Sequence, residues 1–251
     1  MITQVLILAW RCPHNGKWIP VGKLLQDRGK YVFDYTVGAH EAEREEAFMP
    51  FATMGDLNVT YESEELFPVF CNRLLQKNRP EYDDYVGWLG FDKNKFSPLE
   101  ELARSGGIRV TDNLQLFSIP QKNGNLYEFH FFSHGIRHLP PCYIDRINHL
   151  NHGNKLFLMK DVQNNFDPFA LALRTGDPPE IVGYTPRFLS QDFTELLHLN
   201  GNDNVFVQVE KINLKAPLQF KLLCKISTTW PDAFTPFNHD AFKTKKEMTR
   251  V

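Results

Sequence analysis

The chain has 251 residues, 42% hydrophobic and 13% aromatic, with 28 Lys and Arg against 30 Asp and Glu for a formal charge of −2. Its 21 Phe, 8 Tyr and 4 Trp supply enough large apolar surface to offset chain entropy, which excludes whole-chain disorder and is enough for two ordinary cores. The basic and acidic residues balance in each half of the sequence, which excludes duplex binding by bulk charge, so any nucleic-acid contact has to be local.

The first 120 residues open with strand-like segments, Ile2 to Trp10, Trp18 to Leu24 and Lys30 to Tyr35, divided by the turn formers PHNG and DRG. From Glu62 the period changes. Ser63 is a candidate cap for a helix carrying Leu66, Phe67, Phe70, Leu74 and Leu75, and Arg79-Pro80 opens a second with Tyr82, Tyr85, Val86 and Leu89. A third runs from Ser97 to Arg104, with Ser97 as cap, Pro98 at the first helical position and Gly106-Gly107 as the stop. The polar segment QKNGN, residues 121–125, marks a boundary. Beyond it come short strand-like segments, Leu126 to Ser133, Lys155 to Lys160, Phe169 to Arg174, Ile181 to Tyr184, Val205 to Leu214 and Leu218 to Ile226, with a helix from Arg187 to Leu199 after Pro186. The expectation is an α+β chain: a small sheet with helices over residues 1–120, then a small partly open OB-like barrel with one or two helices over 126–227. Residues 228–251 are either a docked strap or a frayed tail.

The longest apolar run, VLILAW from Val5 to Trp10, is far shorter than the roughly 20 residues that cross a bilayer, and no basic segment precedes it. A cytoplasmic protein without membrane contact is expected. Cys12, Cys71, Cys142 and Cys224 are scattered without a CxxC pair, so free thiols are expected rather than a disulfide framework or a zinc ribbon. His130, His134 and His138 recur every four residues, but on a strand the first two lie about 13 Å apart, too far to share an ion, so neither metal nor cofactor is expected. No GxSxG elbow, kinase glycine loop, HRD or DFG is present, and Gly106-Gly107 lacks the GK[ST] of a phosphate loop. A non-enzymatic role is the expectation.

The stretch LFLMKDVQNNFDPFALAL, Leu156 to Leu173, sets two strands around a polar turn. Asn164, Asn165 and Asp167 are turn formers that bond their own backbone, while Phe166 between them is a ring able to stack on a base. With HGIRH before it (His134 to His138) and IVGYTPRFLSQDFTELL after it, this span resembles the HIRAN domain over about 100 residues. The resemblance implies an OB-like barrel that recognises single-stranded DNA at a 3′ end. It implies that Arg137 contacts phosphate or base, that Asn164, Asn165 and Asp167 surround the terminal sugar, and that Phe166 walls the pocket. Tyr184 supplies a ring after the Val-Gly pair, and Lys160 and Arg187 serve the backbone path. His138 stands where Tyr is typical, and Phe166 likewise, which implies a modest preference for a free 3′ end.

The runs PVGKLLQDRGKYVFDYTVGA, FMPF, ELFPVFCNRLLQKNRPEY and LARSGGIRVTDNLQLFSIP, across residues 1–120, resemble the N-terminal subdomain of HipA-type serine/threonine kinases. No kinase core follows. That resemblance implies an interaction module, in toxin–antitoxin systems a partner that restrains a separately encoded HipA-like kinase, with Phe67, Phe70 and Arg73 turned toward the partner. Their spacing is also that of the buried face of a helix.

Overall fold

The computed structural model describes residues 4–93, 95–165 and 167–249. In chain order its main elements are β1 (Val5–Arg11), β2 (Trp18–Asp27), β3 (Lys30–Tyr35), α1 (Val37–Glu46), β4 (Tyr61–Ser63), α2 (Pro68–Cys71), α3 (Tyr82–Trp88), α4 (Pro98–Ser105), β5 (Leu114–Ser118), β6 (Leu126–Phe132), α5 (Pro141–Asn148), β7 (Lys155–Lys160), β8 (Leu171–Arg174), β9 (Ile181–Tyr184), α6 (Arg187–Asn200), β10 (Phe206–Ile212), β11 (Leu222–Thr229) and α7 (Lys245–Met248). Ile2, where the first strand is expected to begin, lies outside the described residues. The described residues form two compact units, one from those within 1–82, 94–119 and 237–251, the other from those within 83–93 and 120–236. Both sheets are antiparallel, giving a mixed α and β chain.

In the first unit the sheet order is β4-β3-β2-β1-β5. Leu6 and Leu8 of β1, Val21 and Leu24 of β2 and Phe33 and Tyr35 of β3 bury one face against α1, α4 and the aromatic segment from Phe48 to Phe70. α4 begins and ends where the residue types require. Ser97 and Glu100 form a reciprocal capping box, Pro98 occupies the first turn, and Gly106 closes the helix at φ 78°, a conformation that favours glycine. The long helix expected from Ser63 is absent. Tyr61–Ser63 pairs instead with β3 as an edge strand, and Pro68, which has no N–H to continue a helix from upstream, starts a single turn.

Of the three residues expected to face a partner, Phe70 and Arg73 are turned inward and Phe67 is half-buried. Phe70 is fully buried, and Phe67 packs on Phe33 and Phe70 with ring centroids 6.5 and 6.2 Å apart. The Arg73 side chain, 2% exposed, donates to the Gly107 carbonyl at 2.8 Å and to both oxygens of Asp112 at 3.2 and 2.7 Å. It is an internal strut. Residues from Phe237 onward dock as a strap: the Val37 N–H donates to the Lys243 carbonyl at 2.8 Å, Thr36 bridges Thr244, and Lys23 pairs with Glu247 at 2.8 Å.

The second unit has the sheet order β6-β11-β10-β7-β8-β9. This sheet curls. His134, just beyond β6, exchanges backbone hydrogen bonds of 2.8 and 2.9 Å with Tyr184 at the end of β9, joining the two outer strands as in a small barrel. Leu189, Phe193 and Leu196 on one face of α6 are buried, and Phe193 meets Tyr127 and Phe131 of β6 at 6.5 and 5.5 Å. Trp230 packs on Tyr127 with ring centroids 5.4 Å apart. Residues 83–93, assigned by sequence to the first domain, belong here: Tyr85 packs on Phe220 at 5.9 Å, and the Asn213 amide donates to the Trp88 carbonyl at 2.9 Å. An apolar helix face of only seven residues has to be covered by whichever unit offers a ring, here Phe220. The segment Leu218–Phe220, expected as strand, is a 3-10 turn that follows Pro217.

Candidate nucleic-acid interface

The loop between β7 and β8 is built by its own side chains. The Asp161 N–H donates to the Ala170 carbonyl at 2.9 Å, closing the hairpin. Asp161 Oδ1 accepts from the Gln163 N–H at 3.3 Å, Asn164 Oδ1 from the Asp167 N–H at 3.0 Å, and Asp167 Oδ1 from the Phe169 N–H at 3.0 Å. The first and last are Asx turns and the middle one spans three residues, all of them local bonds that short Asn and Asp side chains make to the backbone. Asn164 also donates from Nδ2 to Asp161 Oδ2 at 3.4 Å, so its amide braces the loop at both ends. Asn165 is exposed and Asp167 half-buried. Phe166 lies outside the described residues.

Tyr184 connects this loop to the segment after β6. Its hydroxyl donates to Asp161 Oδ2 at 3.0 Å, while its backbone makes the paired bonds to His134. Burial and the hydrogen-bonded Asp161 carboxylate both raise the phenol's pKa, so it stays a donor at neutral pH. On the ring's other side lies Gly135, at φ 74°, where a Cβ would stand 3.1 Å from Tyr184 Cδ2. Glycine is required there for the turn and for the close approach alike. Ile136, buried, anchors the following 3-10 turn, which leaves Arg137 and His138 exposed, with Arg137 Nε donating to His138 Nε2 at 3.0 Å. At the seam, Ser133 Oγ donates to the Val182 carbonyl at 2.9 Å, and Gly183, at φ 130°, has no room for a side chain.

Chain positions 134 to 138, 161 to 165, 167 and 184 thus form one locus, tied through Tyr184 and Asp161. Lys160 is exposed at the end of β7, on the loop's shoulder, and Arg187 is exposed at the first position of α6, three residues past Tyr184. His130 lies on β6, with Nε2 3.9 Å from Glu210, and His134 is shielded so that its pKa falls to about 4 by desolvation. Sequence reasoning missed Asp161, the acceptor at the hub. Its only sequence signal was that an Asp placed directly after a strand is a turn former able to bond the backbone two residues on, here Gln163. Chemically, the locus offers exposed cations for phosphate, an amide and a carboxylate for a sugar edge, and a braced loop that fixes their positions.

The HIRAN domain model matches residues 126–230. Among solved structures, a protein from Lactobacillus plantarum is 15% identical, covering 42% of this chain and 99% of that one, with a TM-score of 0.33. The HIRAN domain of human HLTF is 14% identical, covering 43% of this chain and 78% of that one, with a TM-score of 0.31. No curated protein matches. Among the described residues, no helix is long and apolar enough to cross a membrane.

Proposed function

We propose that the second unit binds single-stranded DNA and holds a 3′ end at the Asp161–Asp167 loop, as a non-enzymatic recognition module. The observation that carries this reading is the junction at Tyr184. Three segments that resemble HIRAN motifs, scattered over fifty residues of sequence, are gathered by one hydroxyl, one backbone bridge and one glycine contact. The match of the HIRAN domain model to residues 126–230 supports it. In this reading Asp167 accepts from the terminal 3′-hydroxyl and Asn165 contacts the sugar or base. Arg137, Lys160 and Arg187 meet phosphates, and Phe166 stacks on the terminal base.

Fluorescence anisotropy with a labelled oligonucleotide bearing a free 3′-hydroxyl tests it. Asn165→Ala and Asp167→Ala should each weaken binding by roughly 1 kcal/mol or more, the worth of a buried polar contact, with the thermal midpoint unchanged in the first and slightly lowered in the second, which loses the bond from the Phe169 N–H. Wild-type affinity in both variants would remove the loop from the interface. For the first unit the resemblance to the HipA N-terminal subdomain supports docking on a separately encoded HipA-like kinase. Arg73→Glu does not test that docking, because it would break an internal ion pair.

A further inference from the structure

The outer face of the curled sheet carries a patch that neither the loop nor the seam accounts for. Phe157 and Met159 of β7 and Phe206 of β10 are 37%, 40% and 47% exposed, on adjacent strands that pair at Leu156 and Val207. Three large apolar side chains close together on one solvent-facing surface make a contiguous patch of the kind that marks binding faces. Cations lie against them. Lys155 Nζ stands 4.9 Å from the Phe157 ring centroid and 5.6 Å from that of Phe206, and the Arg174 guanidinium 5.0 Å from Phe157. Among the described residues neither cation is in an ion pair with a carboxylate.

Strand alternation puts this patch on the same face as the candidate interface. Met159 pairs with Ala172 and Ala172 with Tyr184, so these three side chains share one side of the sheet, and the Tyr184 hydroxyl reaching Asp161 confirms the side. Phe157 pairs with Arg174 one step along, about 13 Å from Asp161 at roughly 3.3 Å per residue. Rings for bases, unpaired cations for phosphates and continuity with the loop are together the composition of a single-strand path.

Resting on the end-binding reading, we infer that Lys155, Phe157, Met159, Arg174 and Phe206 form a second contact surface, which carries the body of a single strand whose 3′ end sits at the Asp161–Asp167 loop. Bases stack on Phe157 and Phe206, and the phosphates between them replace ring faces as partners of Lys155 and Arg174.

The test uses the full chain and two oligothymidylates with free 3′ ends, a dinucleotide too short to reach Phe157 from the loop and a strand of about twelve nucleotides, within the site sizes of small barrels. The Phe157→Ala/Phe206→Ala variant should bind the longer strand about tenfold or more weakly and the shorter one as the wild type does. Lys155→Glu/Arg174→Glu should lower the slope of log affinity against log salt by about 1.4 for the longer strand, the loss of two phosphate contacts. Phe157→Tyr/Phe206→Tyr, which keeps both rings, should retain affinity. Wild-type binding of both strands by the alanine variant, with Asp167→Ala still damaging, would overturn the path and spare the end site. Failure of the wild type to bind either strand would overturn both. Self-association that disappears in the alanine variant, at unchanged oligonucleotide affinity, would assign the face to a second copy of the chain and overturn the path.

Discussion

Asp161 shows how one carboxylate organises a site it does not itself offer to a ligand. Both of its oxygens are engaged, Oδ1 by the Gln163 N–H and Oδ2 by Tyr184 and Asn164. Removing it takes the acceptor from the Tyr184 phenol and one acceptor from the Asn164 amide, and loosens the loop. Asp161→Ala should therefore reduce oligonucleotide affinity about tenfold while shifting the urea midpoint by the equivalent of only about 1 kcal/mol, since the loop is at the surface. Equal wild-type affinity would show that the loop needs no brace. Arg73 is the opposite case, a residue with its effect entirely in stability. Arg73→Ala strands the Gly107 carbonyl and half-exposed Asp112, and should cost about 3 kcal/mol in chemical denaturation. Adding Asp112→Ala should recover part of that loss, because the uncompensated carboxylate is gone. Arg73, Phe70 and Leu74 all sit at helical spacing in the sequence. The spacing allows a buried face, but it cannot show the partner that holds Arg73 there, because Asp112 is thirty-nine residues away.

At the scale of elements, the curled sheet depends on a seam where two strand ends meet. Gly183 makes it possible: a Cβ there would run into Ser133 Oγ and stand 2.8 Å from the His134 carbonyl, at a φ of 130° that side chains avoid. Gly183→Ala should open the His134–Tyr184 bridge and destabilise the second unit by more than 2 kcal/mol. Native-state hydrogen exchange at the His134 and Tyr184 amides reads this directly, and unchanged protection would mean that the seam accommodates a methyl. Strands legible from alternation and β-branched or aromatic content, such as Lys30–Tyr35, Lys155–Lys160 and Ile181–Tyr184, have the expected bounds. α4 starts after the expected Ser97 cap and ends at Ser105, one residue beyond the expected Arg104, and its cap, proline and closing glycine are local signals. α1 escaped notice, because VGAHEAEREE carries only small buried residues, Gly38, Ala39 and Ala42, on its inner face. A stripe of alanine and glycine has little hydrophobic contrast.

Across the whole molecule, pH acts on the second unit through His134. Its surroundings desolvate the ring and lower its pKa from 6.5 to about 4. Between those values the unfolded chain binds a proton that the folded unit excludes, so stability is complete above about pH 6.5 and declines as pH falls toward 4. From pH 7 to pH 5 the loss should be about 2 kcal/mol in urea titrations, and His134→Gln should flatten it. A wild-type midpoint independent of pH over that range would mean that the ring is solvated. What the sequence by itself determined was local: the α and β character, the strands with strong alternation, the capped helix, and the polar turn from Asn164 to Asp167, because caps, turns and periodicity act within a few residues. Only the tertiary structure decided which distant positions meet. It put residues 83–93 with the second unit and 237–249 with the first, buried Arg73 against Asp112, and set Asp161, Tyr184 and Gly135 in contact. Those outcomes turn on sheet register and on which apolar face finds a partner, and such long-range pairings leave no periodic trace in the chain.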